Sequence, residues 1–509
     1  MVLMRSRFAF IAAIQLGTAL VIWFHLLKFF NSFLWMPFDW EPTDGDHLNL
    51  IFRIQKGLPI YSNWQTGEVL NIYCPGYHYL VAALGLVFPT GLILGRVVSL
   101  LCFFGCVAMI FFSVATSRRP GEKGYSKYLI AALAAFSVTM IFFERILTDL
   151  VDLNPNMFYT LLALASVFAL SLWERKKTPG LLILSSVLAF MALFTKQQGI
   201  WAFATGLAAL SIGSRKKSEW IIYIGLFVLL SVGATIYLES VNDHSFLSST
   251  VINLRKIYFS PMPDALKRIG AFALTNAQWF FIFIAGFIFS WRRHQLRIWQ
   301  VSIPIQCALL LLTVGNGAGG PNYFFSLWCS LVISCGISVV DFVIDQSWTK
   351  KLSLRLFAGI ICAIIAYQAY FMVFFISAEI DKLTDGTKDL APLMTEYYEA
   401  VAKLVNESPN KDVLVDRSIG AYILSGARVG TEFCAMSHAW VSGDSDFNRE
   451  ALLDKIRNKK FAVITTGMEP IRLEIAKMMN TYYQPMRSFR INLWKGQRVE
   501  TILIFTPRP

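Results

Sequence analysis

Charged residues are scarce in this 509-residue chain, and their scarcity excludes an ordinary soluble protein. Asp, Glu, Lys and Arg together make up 16% of the sequence, whereas soluble domains carry about 25%. Hydrophobic residues make up 55%, and the mean hydropathy is +0.53. We therefore predict a polytopic α-helical membrane protein.

Several patterns that mark other protein classes are missing. The eight cysteines have no spacing to one another or to histidine that is typical of a metal site. The glycine-rich stretch at 317–320 lacks the Lys and Ser/Thr of a P-loop. The net charge of +13 comes from short basic clusters between apolar runs, and the sequence has no nucleic-acid-binding motif. This distribution follows the positive-inside rule, so we expect a lipid bilayer and no nucleic acid as partner.

The basic loops set the predicted topology. Loops at 118–127, 174–177, 214–217, 291–297 and 349–351 are expected in the cytoplasm. This arrangement gives about eleven spans in a cytoplasmic (inner) membrane, with the N-terminus inside and the C-terminus outside. The predicted spans are 8–30, 90–116, 127–147, 156–174, 179–195, 199–213, 218–238, 269–290, 298–314, 322–344 and 353–377.

The hydropathy falls after residue 377. We predict a transmembrane domain at 1–377 and a small extracytoplasmic α/β domain at 378–509, a length that suits one domain. The segment EPIRLEIAKMM is predicted to form a helix. Strand candidates are DVLVD (412–416), FAVITT (461–466), RINLW (490–494) and ETILIF (500–505).

The first outer loop, 41–79, is the longest polar stretch before the C-terminal domain, and it carries the carboxylate pair Asp44 and Asp46, followed by His47. The segment after the acids and the short apolar run 76–89 suit helices that lie on a membrane, because both are too short to span it. Asp44 has an alternative role as a helix N-cap, which Asp favours.

Other polar residues collect on the same outer face. Ionisable groups at membrane depth are costly, so they are candidates for a functional site. Each has a simpler alternative: Lys196 could snorkel from a helix end, and the amides beside Pro155 could form a turn. His47 and His78 could be interfacial hydrogen-bonding residues. The outer-face candidates beyond the first loop are Asp152, Asn154, Lys196, Gln197, Arg255, Lys256, Asn322 and Tyr323.

The order of these motifs resembles that of GT-C superfamily glycosyltransferases. These multi-spanning enzymes use polyprenyl-phosphate sugars and include galacturonosyltransferase-type, protein O-mannosyltransferase and aminoarabinose transferase branches. The resemblance covers about residues 1–345, although the commoner acidic motif of this branch is an adjacent Asp-Glu. The matching elements are Asp44-Gly-Asp46, Gly57-Leu-Pro-Ile-Tyr61, Tyr73-Cys-Pro75, Gly95-Arg96-Val-Val-Ser99, Lys196-Gln197 and Asn322-Tyr323-Phe324.

The resemblance implies transfer of a monosaccharide from a polyprenyl-phosphate donor to a hydroxyl of a glycan, lipid or protein acceptor, with inversion. It implies that Asp44 is the general base, supported by Asp46, with the two roles open to exchange. It implies a phosphate site of Lys196, Arg255, Lys256 and Gln197. Substrate contacts would come from His47, Tyr61, Tyr73, His78, Asp152, Asn154, Asn322 and Tyr323.

No cofactor is required on this reading, and a divalent cation held by the two acids is left open. Two alternatives come from other classes. One is a lipid-linked glycan flippase, which would favour charges near the bilayer midplane and inverted repeats; the sequence has no internal repeat. The other is a non-catalytic envelope assembly protein.

Overall fold

The structure is a computed structural model, and its helices form an apolar bundle that carries a mixed sheet at one end. The bundle includes residues before 345, and the sheet belongs to residues after 411. The structure describes residues 20–39, 42–117, 126–137, 152–213, 216–253, 262–293, 295–314, 321–344, 391–415, 419–431, 446–466, 472–492 and 499–508, with isolated positions 17, 378, 380, 381, 384, 436 and 439.

Thirteen α-helices precede residue 345 within the described residues. The longer helices form in continuous apolar sequence, because a helix in an apolar environment pairs all its backbone N–H and C=O groups within the segment. They are α1 (Leu20–Leu34), α2 (Pro42–Gln55), α3 (Gly76–Leu84), α4 (Leu92–Ala115), α5 (Ser126–Ser137), α6 (Asn156–Lys176), α7 (Pro179–Thr195), α8 (Ile200–Gly213), α9 (Lys217–Val241), α10 (Met262–Thr275), α11 (Ala277–Arg292), α12 (Ile298–Thr313) and α13 (Phe325–Ile344).

Among the described residues, four helices are long and apolar enough to cross a membrane, and a bent pair could supply a fifth crossing. The protein is therefore an integral multi-pass membrane protein, while the total of eleven spans stays a prediction. The predicted span 353–377 and parts of 8–30 and 127–147 lie outside the described residues.

The prediction of one straight span at 269–290 is wrong. The structure has two helices there, α10 and α11, bent by 91° at Asn276. The Asn276 side chain donates to the Phe272 carbonyl 2.9 Å away, which gives the chain an alternative to the helical ladder. Because α10 has Lys267 beside exposed Leu266 and Leu274, its composition suits a helix that lies on a membrane surface.

The C-terminal region forms one five-stranded sheet with the order β2-β1-β3-β5-β4. Strands β1, β2 and β3 are parallel, whereas β5 pairs antiparallel with both β3 and β4. All four predicted strands are present, although β2 and the first half of β4 were missed. The strands are β1 (Asp412–Leu414), β2 (Arg428–Val429), β3 (Val463–Thr466), β4 (Tyr483–Asn492) and β5 (Val499–Pro507).

Helices pack against this sheet, and the predicted C-terminal helix is confirmed as Arg472–Tyr482. The boundary at residue 377 stays a prediction, because 345–377 lie outside the described residues. The C-terminal helices are α14 (391–407), α15 (Ile419–Leu424), α16 (Arg449–Arg457) and α17 (Arg472–Tyr482).

The first outer loop lies between the bundle and the sheet. A Cβ atom at Gly45 of α2 would lie 2.5 Å from the Gly420 nitrogen of α15, so only glycine allows this approach. Further along, Gly67 has a φ of +73° and contacts the backbone of Leu452 in α16. Trp64, between these glycines, is buried in the same hydrophobic cluster as Leu452. The C-terminal region therefore positions the loop that carries the two acids.

Candidate functional site

Asp44 is held inside the protein by an arginine. Its side chain is fully buried, and its Oδ2 accepts a hydrogen bond of 2.9 Å from Nη2 of Arg96 in α4. The other carboxylate oxygen accepts from the backbone N–H of Leu153 at 2.8 Å. Both oxygens of Asp44 therefore take part in fixing the loop to the bundle.

Arg96 extends this anchor to the end of α1. Its guanidinium donates to the carbonyls of Met36 and Phe38 at 2.7 and 2.8 Å. It also lies 4.9 Å from the centroid of the Phe33 ring. A buried guanidinium needs several acceptors, and the turn after α1 supplies them. The Gly-Arg-x-x-Ser motif thus has a structural explanation: its arginine ties α1, α2 and α4 together.

Asp46 lies on the opposite side of α2 from Asp44. Two residues along an α-helix rotate the side-chain direction by about 200°. Asp44 points into the bundle, whereas Gly45 faces α15 and Asn49 donates to the Val429 carbonyl of the sheet at 3.1 Å. Asp46 is 6% exposed. By helix geometry, the two acids therefore project from different faces of α2.

Lys196 lies at the centre of a cage of aromatic rings. Lys196 lies between α7 and α8 in the chain and is 4% exposed, and its ammonium group donates to Asn156 Oδ1 at 2.6 Å. The ring centroids of Tyr323, Tyr159 and Tyr73 lie 4.5, 5.6 and 5.7 Å from Nζ. Each such contact contributes about 0.5–2 kcal/mol. The predicted residues Lys196, Tyr73 and Tyr323 are brought together here.

The two predicted histidines also meet beside this cage. His47 Nδ1 lies 2.8 Å from His78 Nε2, and both rings are buried. Burial, followed by the nearby charges of His78 and Lys196, holds the pKa of His47 well below its usual range. Burial likewise lowers the pKa of His78, to about 3. Both imidazoles are therefore neutral near pH 7, so that one can donate to the other.

Two other predicted residues have a supporting position. The Gln197 amide donates to the carbonyls of Ile72 and Thr250 at 2.8 and 3.4 Å. The Tyr61 hydroxyl donates to the Tyr73 carbonyl at 2.7 Å. Both side chains therefore hold the first outer loop in place, while the contacts of Gln197 with phosphate and of Tyr61 with substrate stay predictions.

The turn before α6 carries Asp152 and Asn154, and it leads into the helix whose Asn156 contacts Lys196. Asp152 and Asn154 are 1% and 5% exposed. The Asn154 side chain accepts from the Asn156 N–H at 2.9 Å, which orients the amide that contacts Lys196. Asn154 is thus a turn residue, as its position beside Pro155 allows. Asn322 lies directly before Tyr323 in the 3₁₀ helix Pro321–Phe324, and Arg255 and Lys256 lie outside the described residues.

Tyr159 was not singled out from the sequence, and Asn156 was considered only as an amide beside Pro155. Asn156 and Tyr159 both contact Lys196, and the Tyr159 hydroxyl donates to Ser326 Oγ at 3.4 Å. Their spacing of three residues at the start of α6 places them on one helix face, which is the signal that could have found them.

Asp39 was missed as well, because it lies before the acidic motif. Its carboxylate accepts from the Tyr398 hydroxyl at 2.5 Å and from the Gly420 N–H at 3.2 Å. Burial raises the pKa of Asp39 to about 6, although both of these hydrogen bonds lower it. Asp39 therefore links the turn after α1 to the C-terminal region.

Within the part of the chain that the structure describes, no group of three or more His, Cys, Asp or Glu side chains is placed to hold a metal ion. Asp46, His47 and His78 do not form such a group. The structure thus assigns no metal ligands among these residues.

No protein-family model matches the sequence, and no curated protein matches it in a sequence comparison. Solved structures do match. ArnT from Cupriavidus metallidurans bound to undecaprenyl phosphate aligns with a TM-score of 0.59 and 11% identity, over 95% of this chain and 97% of that one. The same protein in its apo state gives 0.57 and 12%, with the same coverage.

The archaeal oligosaccharyltransferase AglB from Archaeoglobus fulgidus also matches. Its structure, in complex with an inhibitory peptide and a dolichol-phosphate, aligns with a TM-score of 0.53 and 12% identity over 98% of this chain and 76% of that one. ArnT is an aminoarabinose transferase, and both proteins are GT-C superfamily members. At these identities the similarity establishes the fold alone. The resemblance noted from the sequence motifs is therefore confirmed at that level: the chain has a GT-C fold over nearly its whole length.

Proposed function

We propose that this protein is an integral membrane glycosyltransferase that transfers a monosaccharide from a polyprenyl-phosphate donor to an acceptor hydroxyl. The observation that carries the proposal is the buried Lys196 ammonium in its tyrosine cage, in a fold whose solved neighbours hold undecaprenyl phosphate and dolichol-phosphate. A buried cation with three donor hydrogens suits a phosphate as a point charge. The acceptor is a glycan, a lipid or a protein.

In the proposed reaction, the acceptor oxygen attacks the anomeric carbon on the side opposite the phosphate. The bond from the anomeric carbon to the phosphate oxygen breaks, and its electron pair stays on that oxygen. The acceptor proton passes to a carboxylate, and the sugar is inverted. Lys196 offsets the charge that develops on the phosphate, a role in which loss of one group typically costs 10²–10³-fold in rate.

The geometry favours Asp46 as the carboxylate that takes the proton. This exchanges the two roles expected from the resemblance. Asp44 is already engaged through both oxygens, with Arg96 and with the Leu153 N–H, so it suits a positioning residue. Asp46 lies on the other side of α2, next to His47, whose imidazole is influenced by the Lys196 charge. General base catalysis contributes about 10²–10⁴-fold.

The neutral histidine pair suits this reaction. With both imidazoles uncharged, the pair offers hydrogen-bonding groups close enough to Lys196 for its charge to lower the pKa of His47. At the histidine pair, a phosphate bound at Lys196 would therefore meet neutral hydrogen-bonding groups. The proposal assigns no cofactor, and a divalent cation stays an untested expectation. The predicted location, an inner membrane with the site and the C-terminal domain on the extracytoplasmic side, belongs to the same proposal.

The direct test is release of polyprenyl phosphate by the purified protein. A panel of synthetic polyprenyl-phosphate sugars is incubated with lipid, glycan and peptide acceptors that carry hydroxyl groups. We expect acceptor-dependent release of polyprenyl phosphate together with a glycosylated product of inverted configuration. Movement of the intact donor across a vesicle membrane without release would instead identify a flippase, and binding without either reaction would identify an assembly protein.

A further inference from the structure

A small pocket opens beside the Lys196 cage, between the ends of α8, α12 and α13. Its polar lining comes from Gln198, Trp201, Gln306, Thr313, Tyr323 and Ser326, and two leucines of α12 complete it. The enclosed space is about 20 Å³, which is room for one water-sized group. The pocket is partly open.

Two amide side chains in this pocket have unused hydrogen-bonding atoms. Both Gln198 Nε2 and Gln198 Oε1 are buried without a partner among the described residues, and so is Gln306 Oε1. Gln306 is 2% exposed, and its Nε2 donates to Ser330 Oγ at 2.8 Å. An unsatisfied buried polar group costs about 1–3 kcal/mol. Helix packing alone does not explain why two of them face the same pocket.

The pocket lies one side chain away from the phosphate site. Tyr323 lines it and also places its ring centroid 4.5 Å from Lys196 Nζ. Ser326, a second lining residue, accepts from Tyr159, whose ring also lies beside Lys196. A group that enters the pocket therefore approaches within one tyrosine ring of the ammonium. In a polyprenyl-phosphate sugar, the sugar hydroxyls are also separated from the phosphate by about the width of one ring.

The lining fits a hydroxyl group better than an ion. Gln198 offers both a donor and an acceptor, and Gln306 offers an acceptor, whereas a hydroxyl both donates and accepts. None of the eight lining residues is Asp, Glu, Lys, Arg or His, so nothing there pairs with the charge of an amino sugar or a uronic acid. A purely apolar occupant, such as a prenyl unit, would leave the amides unsatisfied.

We propose that Gln198 and Gln306 form a specificity subsite that binds one hydroxyl of a neutral donor sugar. This inference rests on the proposed function, since the sugar must be attached to the phosphate that Lys196 contacts. The two amides select for the hydroxyl because a donor without it would leave them buried and unpaired. A site built for a hydroxyl discriminates strongly against the analogue that lacks one.

The test compares donors that differ by one hydroxyl. Purified protein is given synthetic polyprenyl-phosphate hexoses and the matching monodeoxy analogues, and kcat/KM is measured for each. We expect the wild-type protein to favour the best hexose over one of its deoxy analogues by about 10–100-fold. Gln306→Leu should remove about tenfold or more of this preference, by lowering kcat/KM for the hexose while use of the deoxy donor stays nearly constant.

The matched control is Gln300→Leu, the same substitution six residues earlier on α12. Gln300 is satisfied by the Arg297 N–H and by Ser290 Oγ, both at 3.0 Å. Its loss should lower thermal stability and leave the deoxy preference as in wild type. Gln306→Leu should not lower the thermal stability, because it removes an unsatisfied oxygen, although the bond to Ser330 is also lost.

Two results would overturn the subsite. One is an unchanged hexose preference in both Gln306→Leu and Gln198→Leu. The other is a donor-bound structure in which only a water fills the pocket. Failure of the wild-type protein to transfer sugar from every polyprenyl-phosphate donor is a different outcome, because it rejects the proposed function itself and the subsite with it.

Discussion

Asp44 and Arg96 form an ion pair in which neither side chain is exposed to solvent, with 2.9 Å between Oδ2 and Nη2. The arginine also binds the turn after α1. Removing one partner of such a pair leaves a buried charge uncompensated and costs about 3–5 kcal/mol. Asp44, the first acid of the Asp-Gly-Asp motif, should therefore be needed mainly for the stability of the fold.

The two acids should give different results when each is replaced by Asn. Asp44→Asn should lower the melting temperature and the yield of folded protein, because Arg96 loses its counter-charge. Asp46→Asn should lower the melting temperature less than Asp44→Asn does, and it should lower kcat by about 10²-fold or more, because the amide cannot accept a proton. Both quantities are measured on purified protein, with polyprenyl phosphate release as the activity.

A double variant provides the control for this comparison. Asp44→Leu combined with Arg96→Leu removes both buried charges, and it should be more stable than Arg96→Leu or Asp44→Leu alone. If Asp44→Asn is instead as stable as wild type and loses turnover while Asp46→Asn is active, the original assignment of Asp44 as the base is correct.

The sequence predicted the helical class and the region of the site because both depend on local signals. Apolar runs marked α4, α6 and α9, and unusual polar residues marked Lys196 and Tyr323. The distinction between Asp44 and Asp46 could not be predicted, because it depends on which helix face meets Arg96, 52 residues along the chain. Sequence spacing suggested a pair, whereas helix geometry separates the two side chains.

Contacts between distant segments were equally hidden. Gly45 stands between the two acids of the motif, and the close backbone of Gly420 explains why a glycine is present there. Asp39 carried no motif, and its partner Tyr398 is 359 residues away. The bend at Asn276 escaped prediction because hydropathy does not distinguish a straight span from two joined apolar helices.

Replacement of Lys196 should affect use of the donor. Lys196→Ala removes the cation from the tyrosine cage, so kcat/KM for a polyprenyl-phosphate sugar should fall by about 10²–10³-fold. The matched control is Lys177→Ala. Lys177 also lies over an aromatic ring, 4.2 Å from the Trp173 centroid, but it donates to the Gly213 carbonyl at the other end of the bundle. Equal losses in the two variants would exclude a specific role for Lys196.

A methyl group at Gly45 should disturb the contact between α2 and α15. Gly45→Ala places a Cβ 2.5 Å from the Gly420 nitrogen, and overpacking of this kind costs about 1–3 kcal/mol. We expect a lower melting temperature and faster proteolysis of the C-terminal region. Gly233→Ala in α9 is the control, since a Cβ there meets nothing within 4 Å. It should be neutral or stabilising, because alanine favours helix. A stable Gly45→Ala protein would contradict the close packing of α2 on α15.

Asp39 should make the stability of the protein depend on pH between about 4 and 6. Burial raises its folded pKa from 3.8 to about 6, so the folded state binds this proton more tightly than the unfolded state. Stability from this group is therefore fully present below pH 3.8, is lost as the pH rises towards 6, and stays lost above that.

Asp39→Asn imitates the protonated acid, since its amide can donate to the Tyr398 oxygen while its carbonyl accepts from Gly420. The variant should be more stable than wild type at pH 7, with a difference in melting temperature that shrinks as the pH falls to 4. His47 and His78 act in the opposite sense, since their lowered pKa values destabilise the fold below about pH 6.5, but they are present in both proteins and cancel in the difference. Thermal melts of the two proteins from pH 4 to 8 measure it, and a difference that is independent of pH would show that burial does not raise the pKa of Asp39.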